Sequence, residues 1–138
     1  MAEQQGRMIF VNLAVQSAAA SRRFFEGLGF AFNEQFRDET TECMVINDQA
    51  FAMLLETDKF KGFTSKELTN PRTHAEVLLA LSAPSREAVN TMVEQAKSTG
   101  GGPAMPAQDM GFMYGWSFED PDGHVWEVVW MDPAHVQG

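Results

Sequence analysis

The sequence predicts an α+β fold made of two tandem copies of one unit: a strand, a helix, then three strands. Three observations carry that expectation. Hydrophobic periodicity changes from the alternation of a strand to the three-to-four spacing of a helix and back again, twice along the chain. Landmarks recur: Leu13-Ala14-Val15 returns as Leu79-Ala80-Leu81 at an offset of 79 − 13 = 66, and the Asp48 turn returns as the Asp122 turn at 122 − 48 = 74. Finally, 138 residues with 44% apolar content supply one core of ordinary size, or two small fused ones.

Taken in order, Met8 to Val15 reads as a strand. Ser17 to Leu28 reads as a helix with Ala20, Phe24, Phe25 and Leu28 on one face, ended by Gly29. Strand-like pieces follow at Ala31 to Phe36, Thr41 to Ile46 and Phe51 to Glu56, the last two joined by Asn47-Asp48-Gln49 turn chemistry. The first module is therefore expected over 8–56. Residues 57–72, of mixed charge with Gly62 and Pro71, read as a linker with one helical turn.

The second module is expected over 73–131. His74 to Ser82 reads as a strand, and Pro84 to Ser98 as a helix with Val89, Met92, Val93 and Ala96 inward and Pro84 in its first turn. Gly100-Gly101-Gly102 stops that helix. A short strand around Ala104, then Phe112 to Phe118 and His124 to Trp130, complete the copy. The eight extra positions between the two offsets fit a longer second helix and loop.

Composition narrows the function. Ten Lys+Arg against nineteen Asp+Glu give a net charge of −9, which argues against a nucleic-acid or anionic-membrane footprint. Met8 to Val15 is interrupted by Asn12 and too short to cross a bilayer, and no secretory signal pattern precedes it. Cys43 is the only cysteine, so no intrachain disulfide forms, and a cytoplasmic setting is expected. No local signature marks Cys43 as a nucleophile.

The richest stretch is Phe118-Glu119-Asp120-Pro121-Asp122-Gly123-His124-Val125-Trp126-Glu127. An Asp-Gly turn feeds a strand that is apolar from Val125 to Trp130 except at Glu127. A carboxylate buried in such a run needs a partner, be it a metal, a substrate proton or an arginine.

With Ser21-Arg22-Arg23-Phe24-Phe25-Glu26-Gly27-Leu28-Gly29-Phe30 and the duplicated layout, this stretch resembles the vicinal oxygen chelate superfamily. That superfamily includes glyoxalase I, bleomycin and fosfomycin resistance proteins and extradiol dioxygenases. Its patterns "s..FY..LGF" and "f.DPDGn..E" are both matched, and the likeness covers essentially the whole chain. Phe10-Val11-Asn12-Leu13 and the Phe118 to Val128 run are most similar to the group labelled predicted lactoylglutathione lyase.

The resemblance implies a glyoxalase-like fold, a cupped mixed β-sheet around a small-molecule cavity, and pairing of modules in a homodimer. It also implies four ligand corners. Glu127 matches the family glutamate, and its repeat mate is Met53, since 127 − 74 = 53. The first-strand histidine position maps to Phe10, whose mate at the offset of 66 is Glu76.

Two functional readings follow. In one, Glu127 and Glu76, aided by His74, hold Ni²⁺, Mn²⁺, Mg²⁺ or Fe²⁺ in a metal-assisted lyase, isomerase or dioxygenase, with one carboxylate moving a proton. In the other, Phe10, Asn12, Met53, Leu78 and seventh-strand aromatics such as Tyr114 or Trp116 line a metal-free pocket that only binds a ligand. A purely structural role is a third alternative, with Glu76 paired to Arg72 or a surface lysine and Glu127 capping backbone groups. His124, beside a turn glycine, and His135, in the tail, are weaker candidates. Trp126 and Trp130 share the face opposite Glu127 and are expected to pack on helices.

Overall fold

A computed structural model describes residues 6–103 and 105–134. The chain divides between Leu68 and Thr69 into two compact units, and each carries the expected βαβββ order, with the first strand after the helix broken into two short pieces in the second unit.

In the first unit, β1 (Ile9–Val15) leads into α1 (Ala18–Gly27), then β2 (Ala31–Phe32), β3 (Thr41–Asn47) and β4 (Ala50–Glu56). The sheet order is β1-β4-β3-β2, with β1 parallel to β4 and the other pairs antiparallel. Ser17 caps α1, its Oγ accepting the Ala20 N–H at 3.1 Å, while Glu56 Oε2 accepts the Ala18 N–H at 3.0 Å. Leu13 and Val15 of β1, Met44 of β3 and Ala52 and Leu54 of β4 join Ala18, Phe24 and Phe25 of α1 in a closed core. The expected strand at Ala31 to Phe36 stops at Phe32. Asn33 Oδ1 accepts the Gln35 N–H at 2.8 Å, and this local turn bond wins over the ladder, folding Glu34–Phe36 into a 3-10 turn. Within the expected linker lies α2 (Thr57–Lys61).

In the second unit, β5 (Leu79–Ser82) leads into α3 (Arg86–Ser98). Two short strands, β6 (Gly102–Pro103) and β7 (Gln108–Asp109), pair with the same edge of β8 (Met113–Glu119), and β9 (Val125–Met131) lies between β8 and β5. The expected strand around Ala104 centres on a residue outside the described ones; Gly102–Pro103 just before it is a strand. Pro84 stands before the cap and not in the first turn, because Ser85 is the N-cap, its Oγ accepting the Ala88 N–H at 3.0 Å. Val89, Val93 and Ala96 of α3 are fully buried with Phe118, Trp126 and Val128 of the sheet.

The expected strand from His74 to Ser82 is a correction: only Leu79–Ser82 is strand. The reason lies in its partner. Leu79 pairs with Trp126 in a parallel register, so residues upstream of Leu78 run beyond Val125, where the chain has already entered the Asp120–Gly123 turn. No ladder exists there to extend β5.

Candidate functional site

The Asp-Pro-Asp-Gly turn is built around one carboxylate. Asp120, only 3% exposed, accepts the N–H groups of Asp122 and His124 on Oδ1, each at 3.0 Å, and the Trp126 indole N–H on Oδ2 at 3.0 Å. Burial raises its pKa against the pull of nearby His124 and of these donors. Gly123 has φ +100, and a Cβ there would stand 3.1 Å from the Pro71 carbonyl oxygen and 3.2 Å from Arg72 Cα. Glycine is therefore required twice over, by backbone angle and by the close approach of 71–72. Arg72 reinforces that approach, donating from Nη2 to the Pro121 carbonyl at 2.6 Å.

The turn sets the phase of β9. Trp126 and Val128 face α3 and are buried, so Glu127 faces the opposite side of the sheet. Its cross-strand neighbours are Ala80 on β5 and Ser117 on β8. With Leu78, Met105, Met113 and Val129 it lines a recess of about 320 Å³. Glu127 is half-buried and neither pairs with a cation nor accepts a hydrogen bond among the described residues. Ser117 Oγ accepts the Met105 N–H at 3.1 Å and so ties the loop after β6 to the recess.

Tyr114 is not part of this recess, contrary to the expectation from sequence. The β8–β9 register opposes Ser117 to Glu127, which sends the even-numbered Tyr114 toward α3. There its hydroxyl donates to Asn90 Oδ1 at 2.6 Å, and the Arg86 guanidinium lies 5.3 Å from its ring centroid. Trp130 carries the same guanidinium at 5.0 Å, in keeping with the expected helix-facing role of Trp126 and Trp130.

In the first unit the equivalent face of the sheet carries Phe10 and Asn12 on β1 and Met53 on β4. Asn12 and Met53 are register partners, and Phe10 stacks on Phe51 with centroids 5.0 Å apart. Asn12 Nδ2 donates to the Phe10 carbonyl at 3.3 Å. A recess of about 390 Å³ is lined by Asn12, Thr41, Met53, Leu55, Phe36 and Phe63, with Arg37, Asp38 and Lys59 at its border. Asp38 pairs with Lys59 at 2.6 Å, and that bond with the Thr40 N–H holds its carboxyl far below the usual range. Thr41 Oγ1 is buried with no hydrogen-bond partner among the described residues, which sequence reasoning did not foresee.

The strand registers also revise the internal repeat. Met53 and Glu127 remain mates at an offset of 74. Their parallel-strand partners, Asn12 and Ala80, differ by 80 − 12 = 68. The two helix caps agree, since 85 − 17 = 68. The mate of Phe10 is therefore Leu78, and Glu76 corresponds to Met8. A shift of two residues preserves which face a side chain occupies, so alternation in the sequence could not expose it. The two serines preceding the helices were the signal that would have.

Glu76 and His74 consequently lie on the exposed segment before β5. His74 Nδ1 shares a hydrogen bond with Thr73 Oγ1 at 2.8 Å. Among the described residues no three His, Cys, Asp or Glu side chains gather as a metal-binding group. His124 is half-buried at the turn, and His135 lies outside the described residues. Cys43, the register partner of Met53, is fully buried, and burial raises its thiol pKa. No helix among the described residues is long and apolar enough to cross a membrane.

The sequence model of the Glyoxalase/Bleomycin resistance protein/Dioxygenase superfamily matches residues 7–128. Among proteins of curated function none matches. Solved structures do. A hypothetical protein from S. aureus superposes with a TM-score of 0.76 at 27% identity, over 90% of this chain and 92% of that one. A glyoxalase/bleomycin resistance protein/dioxygenase family enzyme from Burkholderia phytofirmans gives 0.75 at 16% identity, over 91% and 99%. A glyoxalase-related enzyme from Fulvimarina pelagi gives 0.72 at 24%, over 92% and 88%.

Proposed function

The chain belongs to the glyoxalase/bleomycin resistance protein/dioxygenase superfamily, and within it we propose a protein that binds a small molecule with a largely apolar body, without the help of a divalent metal. The observation that carries this reading is the register. Of the positions that the family resemblance marks as ligand corners, Phe10, Met53 and Leu78 offer no oxygen or nitrogen, and Glu127 alone offers a carboxylate. Hard divalent ions take six or more oxygen ligands, and catalytic sites generally supply about three from the protein. The set of Glu127, Glu76 and His74 does not fit that demand, because two of the three lie on the exposed segment ahead of β5.

The recesses support binding in their own right. Each lies at the lower end of the roughly 300–1,000 Å³ typical of small-molecule sites, and each joins apolar walls to a few polar atoms. The finer relation to the predicted lactoylglutathione lyase group would make a glutathione adduct the substrate. Nothing in the Glu127 recess offers a cation to such an anion.

The test is thermal stabilisation of the dialysed protein against a small-molecule panel, alongside Ni²⁺, Mn²⁺, Mg²⁺ and Fe²⁺. A ligand at one hundred times its Kd adds about 2.7 kcal/mol by mass action, a rise of several degrees in Tm. The expected result is stabilisation by small molecules in metal-free buffer, weakened by Phe36→Ala or Leu78→Ala, each of which removes apolar wall from one recess. Turnover of a glutathione adduct that appears only with an added metal would overturn it.

A further inference from the structure

We propose that Glu127 receives the protonated nitrogen of its ligand, so that the ligand class is a cationic amphiphile: an amine, amidine or guanidine on an aryl or alkyl body. The inference rests on the small-molecule reading above and adds the sign of the ligand's charge.

The argument begins with how this chain treats its other shielded carboxylates. Glu42, its side chain 3% exposed, is held by Arg22 and Arg37, each at 2.9 Å. Asp120 accepts three N–H groups, and Glu56 accepts one from α1. Glu127 is half-buried and accepts no hydrogen bond among the described residues. A carboxylate in that setting is only partly solvated, and a ligand that covers it must neutralise it or pay for burying a bare charge.

The second unit has no cation to spare. Its only lysine and arginines are Arg72, Arg86 and Lys97. Arg72 donates to the Pro121 carbonyl, Arg86 pairs with Asp109 at 2.6 Å between two aromatic rings, and Lys97 sits 5.0 Å from the Trp116 centroid. The charge complementary to Glu127 within its recess must then arrive with the ligand. One carboxylate is too few for a hard divalent ion, but it suits a single ammonium through a charge-assisted hydrogen bond.

The walls describe the rest of the ligand. Leu78, Met113, Met105 and Val129 present aliphatic and thioether surface, and methionine side chains adapt to a flat ring or a flexible alkyl chain alike. The net charge of −9 raises the local concentration of cations and lowers that of anions.

The experiment uses three ligands sharing one body, 4-phenylbutylamine, 4-phenylbutanol and 4-phenylbutyrate, with alkyl and naphthyl counterparts. Binding to the full chain is measured by calorimetry for wild type, Glu127→Gln and Leu78→Lys, after circular dichroism shows each variant folded. Amines are expected to bind at least tenfold more tightly than the matched alcohols, with carboxylates weakest. Glu127→Gln should bring amine and alcohol within about twofold. Leu78→Lys should abolish the amine preference by supplying an internal cation. Alcohols binding as tightly as amines, or an amine affinity unchanged by Glu127→Gln, would overturn this inference and leave the small-molecule reading standing. Binding by no member of any series would remove both.

Discussion

Asp120 and Glu127 are seven residues apart and meet opposite electrostatic circumstances. The first is buried and accepts three N–H groups; the second is half-buried and accepts none among the described residues. Asp120→Ala orphans two backbone N–H groups and the Trp126 indole in a closed turn, and should cost about 2–4 kcal/mol in chemical denaturation. Burial raises the folded-state pKa of Asp120 above the ordinary 3.8. Between those two values the native state holds the proton more tightly than the unfolded chain, so this group's contribution is full below 3.8 and falls as pH rises through the folded value. The exposed carboxyls of Glu34, Asp38 and Asp109, lowered by Arg22, Lys59 and Arg86, have the opposite slope: they lose stability as pH falls. Subtracting the Tm profile of Asp120→Asn from that of wild type should therefore leave a difference that declines from about pH 4 upward. A difference that rises with pH would contradict the assignment. The sequence marked a carboxylate problem in this stretch, but placed it on Glu127 alone, because one-dimensional patterning does not show that Asp120 folds back under Trp126.

At the scale of elements, the two helices begin alike. Ser17 and Ser85 each accept a backbone N–H three residues on, and removal of such a cap costs about 1 kcal/mol. Ser17→Ala and Ser85→Ala should each lower stability by that amount in urea titrations. Their effects should add within about 0.5 kcal/mol in the double variant, since the caps share no partner. Markedly less than additive losses would mean that the units do not unfold in one transition. The helices were legible in the sequence because capping serines, apolar stripes and terminating glycines coincide. Strand ends were less so. β5 stops at Leu79 because its partner turns away, and β2 stops at Phe32 because Asn33 captures the Gln35 N–H. Both limits arise from bonds to a neighbour that periodicity does not encode.

For the molecule as a whole, β1 and β5 each leave one strand edge unpaired within their own sheets. Beside those edges Ile9 is 59% and Val77 50% exposed. Apolar surface next to an open edge marks an interaction site or an aggregation hazard. We propose that a second copy of the chain covers it, as the family resemblance implies. Light scattering after gel filtration should then give twice 15.3 kDa, and Ile9→Lys should shift the mass to the monomer without loss of the circular dichroism signal. A wild-type mass of 15.3 kDa at tens of micromolar would refute the dimer.

By itself the sequence determined the βαβββ duplication, the helix-facing core and the turn that delivers Glu127, because periodicity, capping and glycine chemistry are local properties of the chain. The tertiary structure decided which residues stand opposite one another. Register is a relation between strands distant in sequence, and a two-residue slip that keeps every side chain on its face leaves no trace in the alternation, only in the spacing of the capping serines. That slip replaced Glu76 by Leu78 as the mate of Phe10 and left Glu127 without a second carboxylate beside it.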